Sequence, residues 1–221
     1  MNEFLWLQFA HIVAFVYWLG GDLGTFVASR YVVNRDIGVE ARAIALKIML
    51  ACDQGPKMSM PLIMPLGMHM AVIMGLVVIP QWALALVWLL ALVWLGNVLV
   101  LYFNEGKAFT ARLSQFDLWF RVAVVVSLLV FAVLGLAGKA PINADWVAWK
   151  IIVFAALVCC GIAIRINLKP FVPAFVKLMS EGPSDSVNDA MANSVARCRP
   201  WVWAIWLGLF INAAFGIHLI G

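Results

Sequence analysis

The hydrophobic pattern divides the chain into six apolar stretches joined by polar segments. Their expected bounds are 4–28, 58–79, 82–103, 118–137, 146–164 and 201–219. Each is close to the roughly 20 residues an α-helix needs to cross a bilayer. The expected fold is all-α: a polytopic membrane protein with one transmembrane domain over 1–221, a bundle of about six transmembrane helices. The second span holds Pro61, Pro65, Gly67, His69 and Gly75 and is the one expected to kink. It should turn into the third at Pro80-Gln81, and the third should end in Asn104-Glu105. Between the first two spans, Ile44, Leu46, Ile48, Met49 and Leu50 recur at helical spacing, predicting an amphipathic surface helix that breaks at Gly55-Pro56. The long segment after the fifth span predicts two short helices split at Gly182-Pro183.

The first span, FLWLQFAHIVAFVYWLGGDLGTFVASR, carries polar groups where lipid would oppose them: Gln8, His11, Trp18 and Asp22. His11 and Asp22 are eleven positions apart, close to three turns at ~3.6 residues per turn, so they share a face with Trp18. Ionisable groups in hydrocarbon are costly, so this face should look into protein. Gly20 and Gly24 form a GxxxG that would let another backbone approach.

Composition confirms the class. The chain is 65% hydrophobic and 12% charged, with mean hydropathy +1.00, which excludes a soluble fold. Its net charge of +4 sets orientation and does not indicate nucleic acid. Arg30, Arg35, Arg42, Lys47 and Lys57 lie between spans one and two; Lys107, Arg112 and Arg121 between three and four; Arg165, Lys169, Lys177, Arg197 and Arg199 between five and six. Only Lys139 and Lys150 fall on the other side, so the positive-inside rule places both termini outside. The expected location is a bacterial-type inner (cell) membrane, multi-pass, with lipid around it and a homo-oligomer left open. The first span lacks a basic n-region and is expected to be retained. Cys52, Cys159, Cys160 and Cys198 read as buried small hydrophobes without a disulfide framework.

The three histidines, His11, His69 and His218, should all lie in the outer half of the bilayer, at depths of ~10, ~15 and ~4 Å on a rise of 1.5 Å per residue. Two imidazoles from different helices suit a haem iron, with apolar walls around the porphyrin. His11 with His69 is the first pair by depth, His11 with His218 the second, and Met68 offers a thioether. Lys150, Asn143 and Trp149 are at hand for the propionates. Copper is the alternative: Met58, Met60, Met64, Met68, Met70 and Met74 crowd the second span, and thioethers select Cu(I). Packed, hydrogen-bonded histidines without a cofactor are the third reading. Asp53 and Lys57 read as an ordinary i,i+4 ion pair, and Asn97 and Asn104 as helix glue. Asp22 is free to stay neutral, to pair with Arg30 or Arg165, or to relay a proton. No nucleotide loop, HExxH or activated nucleophile occurs.

The run WLQFAHIVAFVYWLGGDL, through His11, Trp18, Gly20 and Gly21, resembles the first span of the HemJ-type haem-linked protoporphyrinogen oxidases and of the related CopD-like copper-resistance proteins. A second stretch, DWVAWKIIVFAALVCCGIAIRINLKP, resembles later spans of those families through Trp146, Lys150, Arg165 and Asn167. The resemblance covers about half of the chain, with spans three and four as additions. It implies haem b on His11, and a HemJ-like activity would put Lys150 near a porphyrin substrate; the cofactor-binding candidates of the whole reading are His11, His69, Trp18 and Trp149. The function expected is a b-haem membrane protein with an electron-transfer or oxidoreductase role and a quinone or porphyrinogen as partner. Lys150 and Asp22 are then its catalytic candidates, and His11, His69, His218 and Met68 its metal candidates.

Overall fold

The computed structural model describes residues 2–104 and 106–220, and Glu105 of the expected Asn104-Glu105 boundary lies outside them. The architecture is all-α. Eight helices succeed one another among the described residues: α1 (Asn2–Val32), α2 (Val39–Cys52), α3 (Gln54–Ile73), α4 (Gln81–Phe103), α5 (Thr110–Leu136), α6 (Asp145–Asn167), α7 (Phe171–Glu181) and α8 (Asp185–Gly216). Helices α1, α4, α5, α6 and α8 each contain a stretch long and apolar enough to cross a membrane. Helix α3, with 20 residues, has the ~30 Å length a bilayer core needs. Large apolar side chains such as Leu86, Leu89, Leu92 and Val93 of α4 point away from the protein, as lipid-facing residues do.

The six long helices close a ring in the order α1, α3, α4, α5, α6, α8 and back to α1, with α3 also touching α6 across it. One core fills the ring, centred on Trp18, Met60, Met68, Trp94, Phe154 and Leu209. A second core joins the end of α1 to α2, α7 and the first half of α8 through Val32, Met49, Leu178 and Met191. These elements form a cap over one end of the bundle, the capped end.

Arg42 organises that cap from 1% exposure. Its Nε donates to the Val32 carbonyl at 2.8 Å and its Nη1 to Asn188 Oδ1 at 2.9 Å. Burial, with the Arg35 charge behind it, lowers its pKa from the ordinary guanidinium value. Arg35 itself pairs with Asp189 and, at 3.6 Å, with Asp185. At the far end, the α3–α4 connection is tied to the α5–α6 loop: Val77 bridges Ile142, the Val78 amide donates to the Pro141 carbonyl at 3.0 Å, and Asn143 Nδ2 donates to the Gly75 carbonyl at 2.8 Å.

Several expected boundaries move. The break after the amphipathic helix falls at Asp53, and Gly55-Pro56 sits in the first turn of α3, where proline costs no hydrogen bond. Helix α3 runs unbroken through Pro61 and Pro65 and stops at Ile73, so 74–80 is a connecting segment and not helix. Gly182, at φ +85°, does end α7, but the helix beyond it is long, not short. Ser184 accepts from the Val187 amide as N-cap, and α8 continues through Pro200 to Gly216. The close approach on α1 is made by Gly21 and Gly24 and not by Gly20. A β-carbon at Gly21 would meet Pro56 Cδ and the Cys52 carbonyl, one at Gly24 the Cys52 Sγ, and one at Gly20 nothing within 4 Å. The four cysteines are free; Cys160 and Cys198 are buried, while Cys159 is exposed on the outer side of α6.

Candidate functional site: two cavities stacked on Trp18

The polar face of α1 looks into the ring. Trp18 is 1% exposed and meets Phe154 edge-on at 6.1 Å, and it lines two cavities, one toward each end. His11 and Asp22 thus share one inward face, as their spacing predicts, and the indole of Trp18 separates them.

The far-end cavity holds about 470 Å³ between α1, α3, α6 and α8. His11, Met64, Met68, Met70, Met74, Lys150 and His218 are among its walls, with Gln8 and Asn212 as further polar groups and Phe15, Ile63, Ile151 and Leu209 as apolar ones. His11 Nδ1 is buried without a hydrogen-bond partner. Its ring is admitted by Gly67, where a β-carbon would come within 3.1 Å of His11 Cε1. The Lys150 ammonium lies over Gly216, 2.9 Å from where a β-carbon would be, and 5.7 Å from the Trp146 ring centroid. Among the described residues no carboxylate pairs with it.

His218 reaches this cavity from the end of α8, its ring edge-on to Trp146 at 5.0 Å. It sits at φ +56°. The Leu219 amide donates to the Ala214 carbonyl at 2.9 Å and the His218 amide to the Phe215 carbonyl at 3.2 Å. This is a Schellman cap with histidine at the left-handed position where glycine is usual.

His69 turns elsewhere. It meets Trp88 of α4 edge-on at 6.3 Å, and its Nε2 lies 3.6 Å from Glu3 Oε1. It is not among the residues lining the cavity of His11, so similar depth did not bring the two rings to one space. Trp149 is 49% exposed on the outer side of α6, and Asn143 is committed to Gly75. Of the expected propionate partners, Lys150 is the one on the cavity wall.

The capped-end cavity holds about 550 Å³. Asp22 lies at its deep end beside Trp18, with Oδ2 buried and unpartnered; among the described residues neither Arg30 nor Arg165 pairs with it, and Arg165 is taken by Asp117. A charged cluster on another wall is one that sequence reasoning passes over. Asp117, 5% exposed in its side chain, accepts from Arg121 Nε at 2.9 Å and from Arg165 Nη1 at 3.0 Å. Arg165 Nη2 also donates to Ser114, Arg121 lies 5.4 Å from the Trp94 ring centroid, and Asn97 Nδ2 reaches Asp117 Oδ1 at 3.4 Å. The signal is the i,i+4 spacing of Asp117 and Arg121, hidden because the hydropathy pattern begins the fourth span only at residue 118. The expected Asp53–Lys57 pair is present at 2.5 Å.

Among the described residues, no three His, Cys, Asp or Glu side chains gather as a metal site. Comparison of the chain with protein-family models, with curated proteins and with solved structures found no match.

Proposed function

We propose that the far-end cavity binds a b-type haem whose iron His11 would hold, and that the protein is a membrane oxidoreductase or electron carrier. The observation that carries this reading is the buried, unpartnered His11 Nδ1 on the wall of a largely apolar cavity. A volume of about 470 Å³ falls in the range of small-molecule and cofactor sites, ~300–1,000 Å³. The residues present fit the group: an imidazole for the iron, thioether and aliphatic walls for the macrocycle, and one unpaired ammonium for an acid.

In this reading Gly67 leaves room for the His11 ring, and His218 or Met68 is the second ligand. Lys150 neutralises a propionate, since it has no carboxylate of its own. Trp18 closes the cavity from the capped-end space. Asp22, on the far side of that indole, holds a proton for turnover. The haem, when bound, supplies one-electron chemistry. A quinone or porphyrinogen is the proposed partner, in keeping with the resemblance to HemJ-type proteins.

The test is a visible spectrum and metal analysis of the purified protein. A Soret band with stoichiometric iron is expected; its absence after expression with ample haem overturns the reading. One observation favours a second reading. Met64, Met68, Met70 and Met74 line the same cavity as His11 and His218, a soft donor set suited to Cu(I). Stoichiometric copper without a Soret band would select it.

A further inference from the structure

The capped-end cavity plays no part in holding the haem, yet it is the more highly charged of the two. Its walls carry Lys57, Arg121, Arg165, Lys169 and Arg199 against Asp22, Asp53 and Asp117. Lys57 is taken by Asp53, and Arg121 and Arg165 share the single carboxylate of Asp117. Arg199 and Lys169 pair with no carboxylate among the described residues. Arg199 Nε is moreover buried without a hydrogen-bond partner. A donor left so is costly, more for a charged group than for a neutral one.

Asp22 cannot answer that need. Phe26 and Trp206 are in edge contact at 5.2 Å and mark one level of α1 and α8. At 1.5 Å per residue, Arg199 lies ~10 Å from that level toward the capped end and Asp22 ~6 Å toward the far end. Among the described residues the mouth of the cavity is therefore basic, and the one carboxylate on its walls without an ion-pair partner, Asp22, is deep. Phe26, Leu101, Tyr102, Val172 and Val202 give the cavity an apolar wall.

We propose that the mouth of the capped-end cavity binds a phosphate group, with Arg199 and Lys169 meeting its oxygens and the apolar wall receiving an attached acyl chain. Guanidinium groups match phosphate oxygens bidentately. Basic pockets between transmembrane helices are also where anionic phospholipid headgroups dock. Arg121 and Arg165 hold an excess positive charge around Asp117 that adds to the attraction without their leaving it. The source of the phosphate is either a lipid headgroup or the free ion, and these separate experimentally.

The experiment uses the full chain, delipidated in an uncharged detergent, and reads the thermal unfolding midpoint. Three probes are added in parallel: phosphatidylglycerol, the phosphate-free diacylglycerol of the same chains, and inorganic phosphate against chloride at equal ionic strength. Phosphatidylglycerol should raise the midpoint saturably and diacylglycerol should not. Arg199→Gln should weaken the half-saturating concentration at least tenfold, while Arg112→Gln, an exposed cation outside the cavity, should leave it unchanged. If Arg199→Gln does not fold, Arg199→Lys, which keeps the charge and loses the fork, should still weaken it. A saturable rise with inorganic phosphate alone, lost with the same Arg199 variant, supports the site and assigns it to the free ion. Equal rises with both lipids and none with phosphate, no rise with any probe, or an unchanged response on substituting Arg199 overturns it.

Discussion

The imidazole of His11 packs on the bare backbone of Gly67, where a β-carbon would stand 3.1 Å from its Cε1. That spacing is tighter than a relaxed contact, so an added methyl must displace the ring. Gly67→Ala should leave the protein folded, since alanine is worth about 1 kcal/mol more than glycine within a helix. It should nonetheless lower haem content or shift the absorption maximum. Gly20→Ala, with nothing within 4 Å, should change neither. Parallel spectra of the two variants check this pair.

His218 occupies a left-handed position at φ +56°. A side chain there costs about 1–2 kcal/mol relative to glycine. In the haem-free protein His218→Gly should therefore raise the unfolding midpoint, and in the presence of haem it should reduce the cofactor's hold on the cavity. A midpoint that does not rise would mean the cap carries no strain.

The spans, the existence of a helix between the first two of them, the helix-breaking Gly182 and the inward face of α1 are legible in the sequence because each depends on local composition and period; the expected apolar face of α2 is not, since Ile44 and Ile48 are exposed and Arg42, Ala45 and Met49 are buried. The features hidden from it depend on azimuth and neighbours. Spacing along the chain puts His11 and His69 at similar expected depth, but His69 projects from α3 toward Trp88 of α4, and no pattern within α3 says which partner lies on which side. The length of α8 is hidden by its polar first half and Pro200, because that half is buried against the cap and not against lipid. The Gly21 and Gly24 contacts with the α2–α3 junction are hidden in the same way. A GxxxG spacing names two glycines, and only the assembled junction shows which backbone positions it touches.

Asp117, 5% exposed in its side chain, pairs with two arginines at once. Asp117→Asn leaves both cations without a carboxylate and should cost about 3–5 kcal/mol. Asp53→Asn, breaking the more exposed pair with Lys57, should cost no more than about 1 kcal/mol. Unfolding of the two variants in detergent orders these effects.

Arg42 holds α1 and α8 together under the cap through Val32 and Asn188. Arg42→Ala strands both acceptors, at about 1–3 kcal/mol for each buried group left unmet. The cap should loosen first, so limited proteolysis is expected to cut near Gly182 in the variant well before the wild type.

If His11 is the haem ligand, the cavity around it, and not depth in the bilayer, chooses the second ligand. The decisive comparison is haem content and the reduced-minus-oxidised spectrum of His11→Ala, His69→Ala and His218→Ala, purified in parallel. Haem should be lost in His11→Ala. It should be lost or spectrally altered in His218→Ala if His218 and not Met68 is the second ligand. His69→Ala should stay near wild type, because its ring faces Trp88 and Glu3. A normal haem content and spectrum in His11→Ala would contradict the assignment.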